Sequence, residues 1–210
     1  MKKIFFMAAL AAMTLASCTG GASGEQKEAA VQQKNEVIET IMSRRSIRQY
    51  KDMPVERTKM DTILMCGINA PNGMNRQSWE IRVVGKEYID GVTKLYVEEN
   101  PDAAKDPSFK NIFRNAPVAV LVAADTEYEL SQIDCGLLGE NMMLSAWSMG
   151  IGSCCLGSPV RFLKSETAKE FYDKLQFSDG YELVYAIGFG YPDEAPAAKP
   201  RDAQKIKYVD

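Results

Sequence analysis

Apolar positions along this chain fall into alternating helical and strand-like periods. Between residues 25 and 42, Val31, Val37, Ile38, Ile41 and Met42 share one face among Glu, Gln and Lys, which predicts an amphipathic helix. A second helix is predicted over 54–68, with Pro54 at its start and Met60, Ile63, Leu64 and Ile68 as its stripe. Ala70-Pro71-Asn72-Gly73 breaks it, and Trp79–Val84 alternates as a strand does. A helix is predicted from Lys86 to Glu99, closed by Asn100-Pro101. Phe109 and Phe113 are spaced for one helical face. Residues 117–124 form an unbroken apolar run of strand length, expected in a central strand buried on both faces. Residues 134–149 predict a helix apolar almost all round, fit for a deep core or a subunit interface, with Asp134 as its N-cap. A strand over 151–157, a helix over 159–175 and a strand over 182–189 complete one α+β domain without repeats or internal linkers.

The N-terminus reads differently. Lys2 and Lys3 precede an apolar core at 4–13 too short for a membrane span, which predicts a signal peptide over 1–17. Leu15-Ala16-Ser17-Cys18 resembles the lipobox of bacterial lipoproteins and makes Cys18 the expected lipidation site. Residues 18–30, with Gly20-Gly21-Ala22-Ser23-Gly24, then read as a flexible tether for a domain over 31–210. The expected location is the cell envelope, lipid-anchored, periplasmic or outer-membrane associated.

At 210 residues and a net charge of −3, the chain suits one domain and gives no footprint for nucleic acid. It contains no histidine, which removes His-based nucleophile relays and His metal sites. Reactive chemistry is therefore expected from a bound cofactor, with no metal and no catalytic side chain. Adjacent Cys154 and Cys155 leave three readings: a strained vicinal bridge, a redox pair, or small buried residues at a strand end.

The densest candidate chemistry is Ser43-Arg44-Arg45-Ser46-Ile47-Arg48-Gln49-Tyr50, three guanidiniums and neighbouring hydroxyls suited to phosphate or carboxylate. The plainer alternative is that Arg44 and Arg45 close a helix against its dipole. Asn75 equally suits a turn after Pro71-Asn72-Gly73, and Trp79 suits the core.

Four separated patches together resemble the nitroreductase family of FMN flavoproteins over roughly residues 40–205. They are the arginine segment, Ala70-Pro71-Asn72-Gly73-Met74-Asn75-Arg76-Gln77-Ser78-Trp79, the stretch from Gly139 to Gly157, and Gly188-Phe189-Gly190-Tyr191-Pro192 followed by Lys199-Pro200-Arg201. Ser78 stands where the family usually has proline, and Cys155-Leu156-Gly157-Ser158 lacks an acidic residue that many members carry.

The resemblance implies a nitroreductase-like α+β fold, a central mixed sheet flanked by helices, in an intertwined homodimer. It implies that Arg44, Ser46 and Arg201 hold the FMN phosphate, with Arg45 close by and Lys199 a second contact. Arg48 would face the pyrimidine edge, Asn75 the N5–O4 edge, and the backbone of Cys155, Leu156 and Gly157 one ring face. The implied activity is ping-pong two-electron reduction of nitroaromatics, quinones or other electron-poor acceptors. The donor would be NAD(P)H or, given the export signal, an envelope redox partner. Alternatives are a reductive dehalogenase, thiazoline oxidase or flavin-cleaving relative, or a lipoprotein that binds flavin or another phosphate ligand without turnover.

Overall fold

A computed structural model of the protein describes residues 35–209, which belong to a single compact unit. The signal peptide, Cys18, the tether and the first part of the 25–42 helix lie outside the described residues.

The core is built around the apolar run. Strand β2 (Val118–Asp125) lies between β1 (Trp79–Val84) and β4 (Tyr181–Gly190), and β3 (Gly152–Leu156) pairs with the far side of β4. Residues 119–124 of β2 are buried, because both faces of a central strand are covered. All three strand pairings are antiparallel, so the expected mixed sheet is corrected to an antiparallel one. Among the described residues, the parallel contact is an isolated bridge between Ser46 and Ser153, where the arginine segment lies along the free edge of β3.

Helices α2 (Arg57–Ile68) and α4 (Ser131–Ser148) cover one face of the sheet, with Ile63, Leu138 and Met142 packed on Val120, Val122 and Ile187. The other face carries α3 (Lys86–Glu99), α5 (Ser158–Leu163) and α6 (Lys169–Asp173) over Leu121, Leu183 and Ala186. Each large side chain buried in this way contributes about 1.5–3 kcal/mol of transfer free energy.

Several expected elements change. Helix α2 begins at Arg57, since Pro54 to Glu56 stay outside the helix and Glu56 is extended (φ −62, ψ 138). The expected helix over 159–175 divides into α5 and α6, and between them the Ser165 hydroxyl accepts the Ala168 N–H at 3.4 Å. Phe109 and Phe113 share no helix: a 3₁₀ turn at Pro101–Lys105 is followed by turns, and both rings join the core independently. Trp79 is core, as the chain predicts.

Helix α1 (Glu36–Ser43) is capped by Asn35, whose side chain accepts the N–H groups of Val37 and Ile38 at 3.1 and 3.2 Å. Its apolar stripe stays open: Val37, Ile38, Ile41 and Met42 are 50–72 % exposed. Trp147 Nε1–H donates to Ser43 Oγ at 2.9 Å and ties α1 to α4.

Candidate flavin site

The arginine segment leaves α1 at Arg44 (φ −54, ψ 138) and docks on the sheet edge through backbone bonds. Ile47 N–H donates to Ser153 O at 2.9 Å, and Lys51 N–H donates to Tyr191 O at 2.9 Å. Two glycines make room for it. A Cβ on Gly152 would stand 2.7 Å from Ile47 Cγ1, and one on Gly190 would stand 2.7 Å from Tyr50 Cδ1. Tyr50 is buried there, its hydroxyl donating to the Ile47 carbonyl, and burial pushes that hydroxyl far above its ordinary range.

The segment's guanidiniums diverge. Arg45 turns back to the Met42 and Arg44 carbonyls at 2.9 and 2.8 Å, which makes it a closing residue for α1. Arg48 is exposed, with NH1 on Ser46 O at 3.2 Å and its backbone N–H donating to Glu194. Glu194 also accepts the Gln49 N–H at 3.2 Å, so the chain after β4 fixes where Arg48 points. No sequence pattern announced Glu194, since its partners lie 146 and 145 residues away.

Arg44 is held differently. Its nearest acid is Glu140, 3.7 Å from Nε, and that buried Nε makes no hydrogen bond among the described residues. The Ser153 hydroxyl, 1 % exposed, also lacks a partner there. Buried polar atoms are almost always paired. Two orphans within two residues of the Ser46–Ser153 bridge leave buried donors without acceptors among the described residues at this sheet edge.

The Asn75 loop lies between α2 and β1. Met74, Asn75 and Gln77 take positive φ of 53°, 53° and 51°, and Asn75 is exposed with a free amide among the described residues. Asp134 holds this loop from beneath. Its carboxylate accepts the Gly73 N–H at 3.1 Å and the Ser78 hydroxyl at 2.8 Å, and Ser78 and Asp134 are both buried. Asp134 is therefore not an N-cap: α4 starts three residues earlier at Ser131, and its acid is spent on the loop. The residue that replaces the family's usual proline is the one that bonds it.

Cys154 and Cys155 are free thiols on opposite sides of β3, so the vicinal bridge is absent. Cys154 is buried and Cys155 exposed, which corrects the reading of both as buried. Burial pushes the Cys154 thiol up; the exposed Cys155 is also raised, by partial desolvation of its sulfur and then by the neighbouring Cys154. Cys155 lines a hollow of about 290 Å³ with Gly136, Gly139, Met143 and Tyr185, between α4, β3 and β4. Leu156 is buried and Gly157 exposed at the end of that strand. A larger hollow of about 900 Å³ opens on the other side, beyond Ser158 and against Arg48. A third, of about 430 Å³ near Asp173 and Tyr181, contains no residue of the expected site.

Lys199 and Arg201 are exposed on the chain after β4. Arg201 donates to the Lys199 carbonyl at 3.2 Å, and no hydrogen bond or ion pair among the described residues joins either to the 44–50 segment. The structure thus brings Arg44, Ser46, Arg48, Cys155, Leu156 and Gly157 to one sheet edge, and leaves the two tail cations apart.

Known proteins share this architecture. A crystal structure of a nitroreductase with bound FMN from Desulfitobacterium hafniense is similar over 84 % of this chain and 100 % of its own, with TM-score 0.73 and 28 % identity. An FMN-dependent nitroreductase from Clostridium difficile is similar over 83 % of this chain and 99 % of its own, with TM-score 0.68 and 25 % identity. The NADPH-flavin oxidoreductase of Vibrio harveyi is 30 % identical over 176 residues, 80 % of this chain and 70 % of that protein. Residues 41–191 match the nitroreductase family model, from the arginine segment to the end of the sheet, and the chain belongs to the nitroreductase family.

Proposed function

We propose that this protein is an FMN-dependent oxidoreductase that reduces nitroaromatics, quinones or similar electron-poor acceptors in two-electron steps. The observation that carries the cofactor assignment is the pair of orphaned buried groups, Arg44 Nε and Ser153 Oγ, beside Ser46. A phosphate and a polyhydroxylated chain are rich in the acceptors that these groups lack. The relatives' bound FMN and flavin activities agree with it.

In this reading Arg44 and Ser46 would hold the phosphate, and Arg201 and Lys199, apart from them in this structure, would be brought to it by the tail. Arg48 would stand at the pyrimidine edge, Asn75 at the N5–O4 edge, and the backbone of Cys155, Leu156 and Gly157 against one ring face. Bound FMN supplies the two-electron chemistry. The chain's part is electrostatic and steric. A guanidinium held in advance, as Arg48 is by Ser46 O and the Glu194 anchor, favours negative charge developing beside it at no cost in reorganisation. Asn75 offers both a donor and an acceptor from one amide. Neither role needs a nucleophile, which suits a chain without histidine.

The open stripe of α1 supports a homodimer, because such apolar faces are covered in stable proteins. The donor is NAD(P)H or a redox partner in the envelope, and residues 1–18 support a lipid-anchored protein there. Desalting the purified chain after incubation with FMN, and then mixing it with NADPH and menadione, tests the reading. Retained flavin with ping-pong turnover is expected. A chain that keeps flavin but passes no electrons to menadione or nitrofurazone from any donor, dithionite included, contradicts it.

A further inference from the structure

The larger hollow is walled by both charge and aromatic rings. Arg48, Arg114 and Arg161 line its polar side, and Tyr96, Phe109 and Phe162 line its apolar side. The guanidiniums of Arg114 and Arg161 form no hydrogen bond or ion pair among the described residues. Two acids also face this space, but each is spent locally. Glu194 accepts the backbone N–H groups of Arg48 and Gln49, and Asp106 accepts the N–H and hydroxyl of Ser108 at 2.8 and 2.7 Å. The guanidiniums of Arg114 and Arg161 are therefore the unpartnered cations of the wall, and with Arg48 they outnumber its two acids.

Arg114 is fixed in place by its loop. It takes φ 55° and Asn115 φ 69°, conformations that cost free energy for side chains other than glycine. Two asparagines enforce them. Asn111 Oδ1 accepts the N–H groups of Phe113 and Asn115 at 2.9 and 3.0 Å. Asn115 Oδ1 accepts Lys110 N–H at 2.8 Å, while Nδ2 donates to Ser108 O at 2.9 Å and Gln49 Oε1 at 3.1 Å. The loop carrying Arg114 is thus pinned onto the segment that carries Arg48. Arg161 projects from α5, and the hollow reaches both Arg48 and Ser158, the residue that follows Gly157.

We infer that this hollow is an acceptor subsite for planar aromatic carboxylates, with Arg114 and Arg161 gripping the carboxylate and Tyr96, Phe109 and Phe162 holding the ring. Guanidinium forks match a carboxylate two donors at a time, and aromatic walls suit the ring. The inference rests on the proposed flavin function and names its substrate class.

The test compares the FMN-loaded protein with a variant carrying Arg114→Asn and Arg161→Gln. Asparagine tolerates positive φ, so the loop keeps its shape while the charge is lost. Calorimetric titration with benzoate, which is not reduced, should show at least tenfold weaker binding in the variant. The ratio of kcat/KM for 4-nitrobenzoate to that for nitrobenzene should fall at least tenfold. Undetectable benzoate binding by the flavin-loaded wild type, or an unchanged ratio in the variant, overturns the subsite and leaves the flavin function standing. A chain that never shows flavin absorbance overturns both.

Discussion

At the scale of single residues, the site depends on side chains that no local pattern reveals. Asp134 sits in an apolar helix and reads as a cap, yet it is the buried support of the Asn75 loop 56 residues from its Ser78 partner. Ser78→Ala leaves that carboxylate short of a donor, and a loss of about 1–3 kcal/mol is expected in denaturant unfolding. Asp134→Asn should weaken FMN retention beyond its effect on stability, because the loop that presents Asn75 loosens. The adjacent cysteines give a prediction with a sign. Although Cys155 is exposed as a residue, the partial desolvation of its sulfur beside the hollow and the neighbouring Cys154 hold its thiol above its ordinary value, so the reactive thiolate is scarce at neutral pH and accumulates only as pH rises past that raised value. Its iodoacetamide alkylation at pH 7.5, assigned by comparison with Cys155→Ser, should run slower than that of an unperturbed thiol and climb steeply above pH 9. A rate at pH 7.5 equal to that of free cysteine would refute this.

Among elements, legibility followed periodicity. Strand β1 and helix α3 occupy the predicted spans, because strict alternation and a clean stripe leave one solution. The stretch from 101 to 115 misled for a physical reason: a spacing of four between Phe109 and Phe113 mimics a helical face, while Pro107, Asn111 and Asn115 commit the backbone to turns. Between α5 and α6 the Ala168 N–H turns to Ser165, to its carbonyl at 3.2 Å and its hydroxyl at 3.4 Å, a local pairing that composition does not display. The strand-edge motif was readable, but its reason was spatial. Gly190 is glycine because Pro117 and Tyr50 each approach within 2.7 Å of where a Cβ would stand. Gly190→Ala should therefore cost about 1–3 kcal/mol through overpacking and lower Tm, with the strand edge loosened first in hydrogen exchange. Phe113→Ala, in a site with no exposure, should cost about 3–5 kcal/mol.

For the whole molecule, the arginine segment sits on the free edge of β3, beside an α1 whose apolar stripe nothing in the described chain covers. Replacing Ile38 and Met42 by aspartate should convert a dimer to a monomer in light scattering and weaken cofactor retention, whereas a wild-type chain that is monomeric with flavin bound would refute the dimer. The four motif patches were legible because backbone approach and charge fix residue types at fixed spacing. The orphaned Arg44 and Ser153 groups that give those patches meaning became visible only in three dimensions. The most direct measurement is therefore the visible spectrum of the purified chain after incubation with FMN and desalting, compared between wild type and Arg44→Ala. Two flavin bands at one flavin per chain in the wild type, lost or at least tenfold weaker in retention in the variant, is the predicted result. A colourless wild type, or flavin held equally well without Arg44, would contradict the assignment of this edge as the cofactor site.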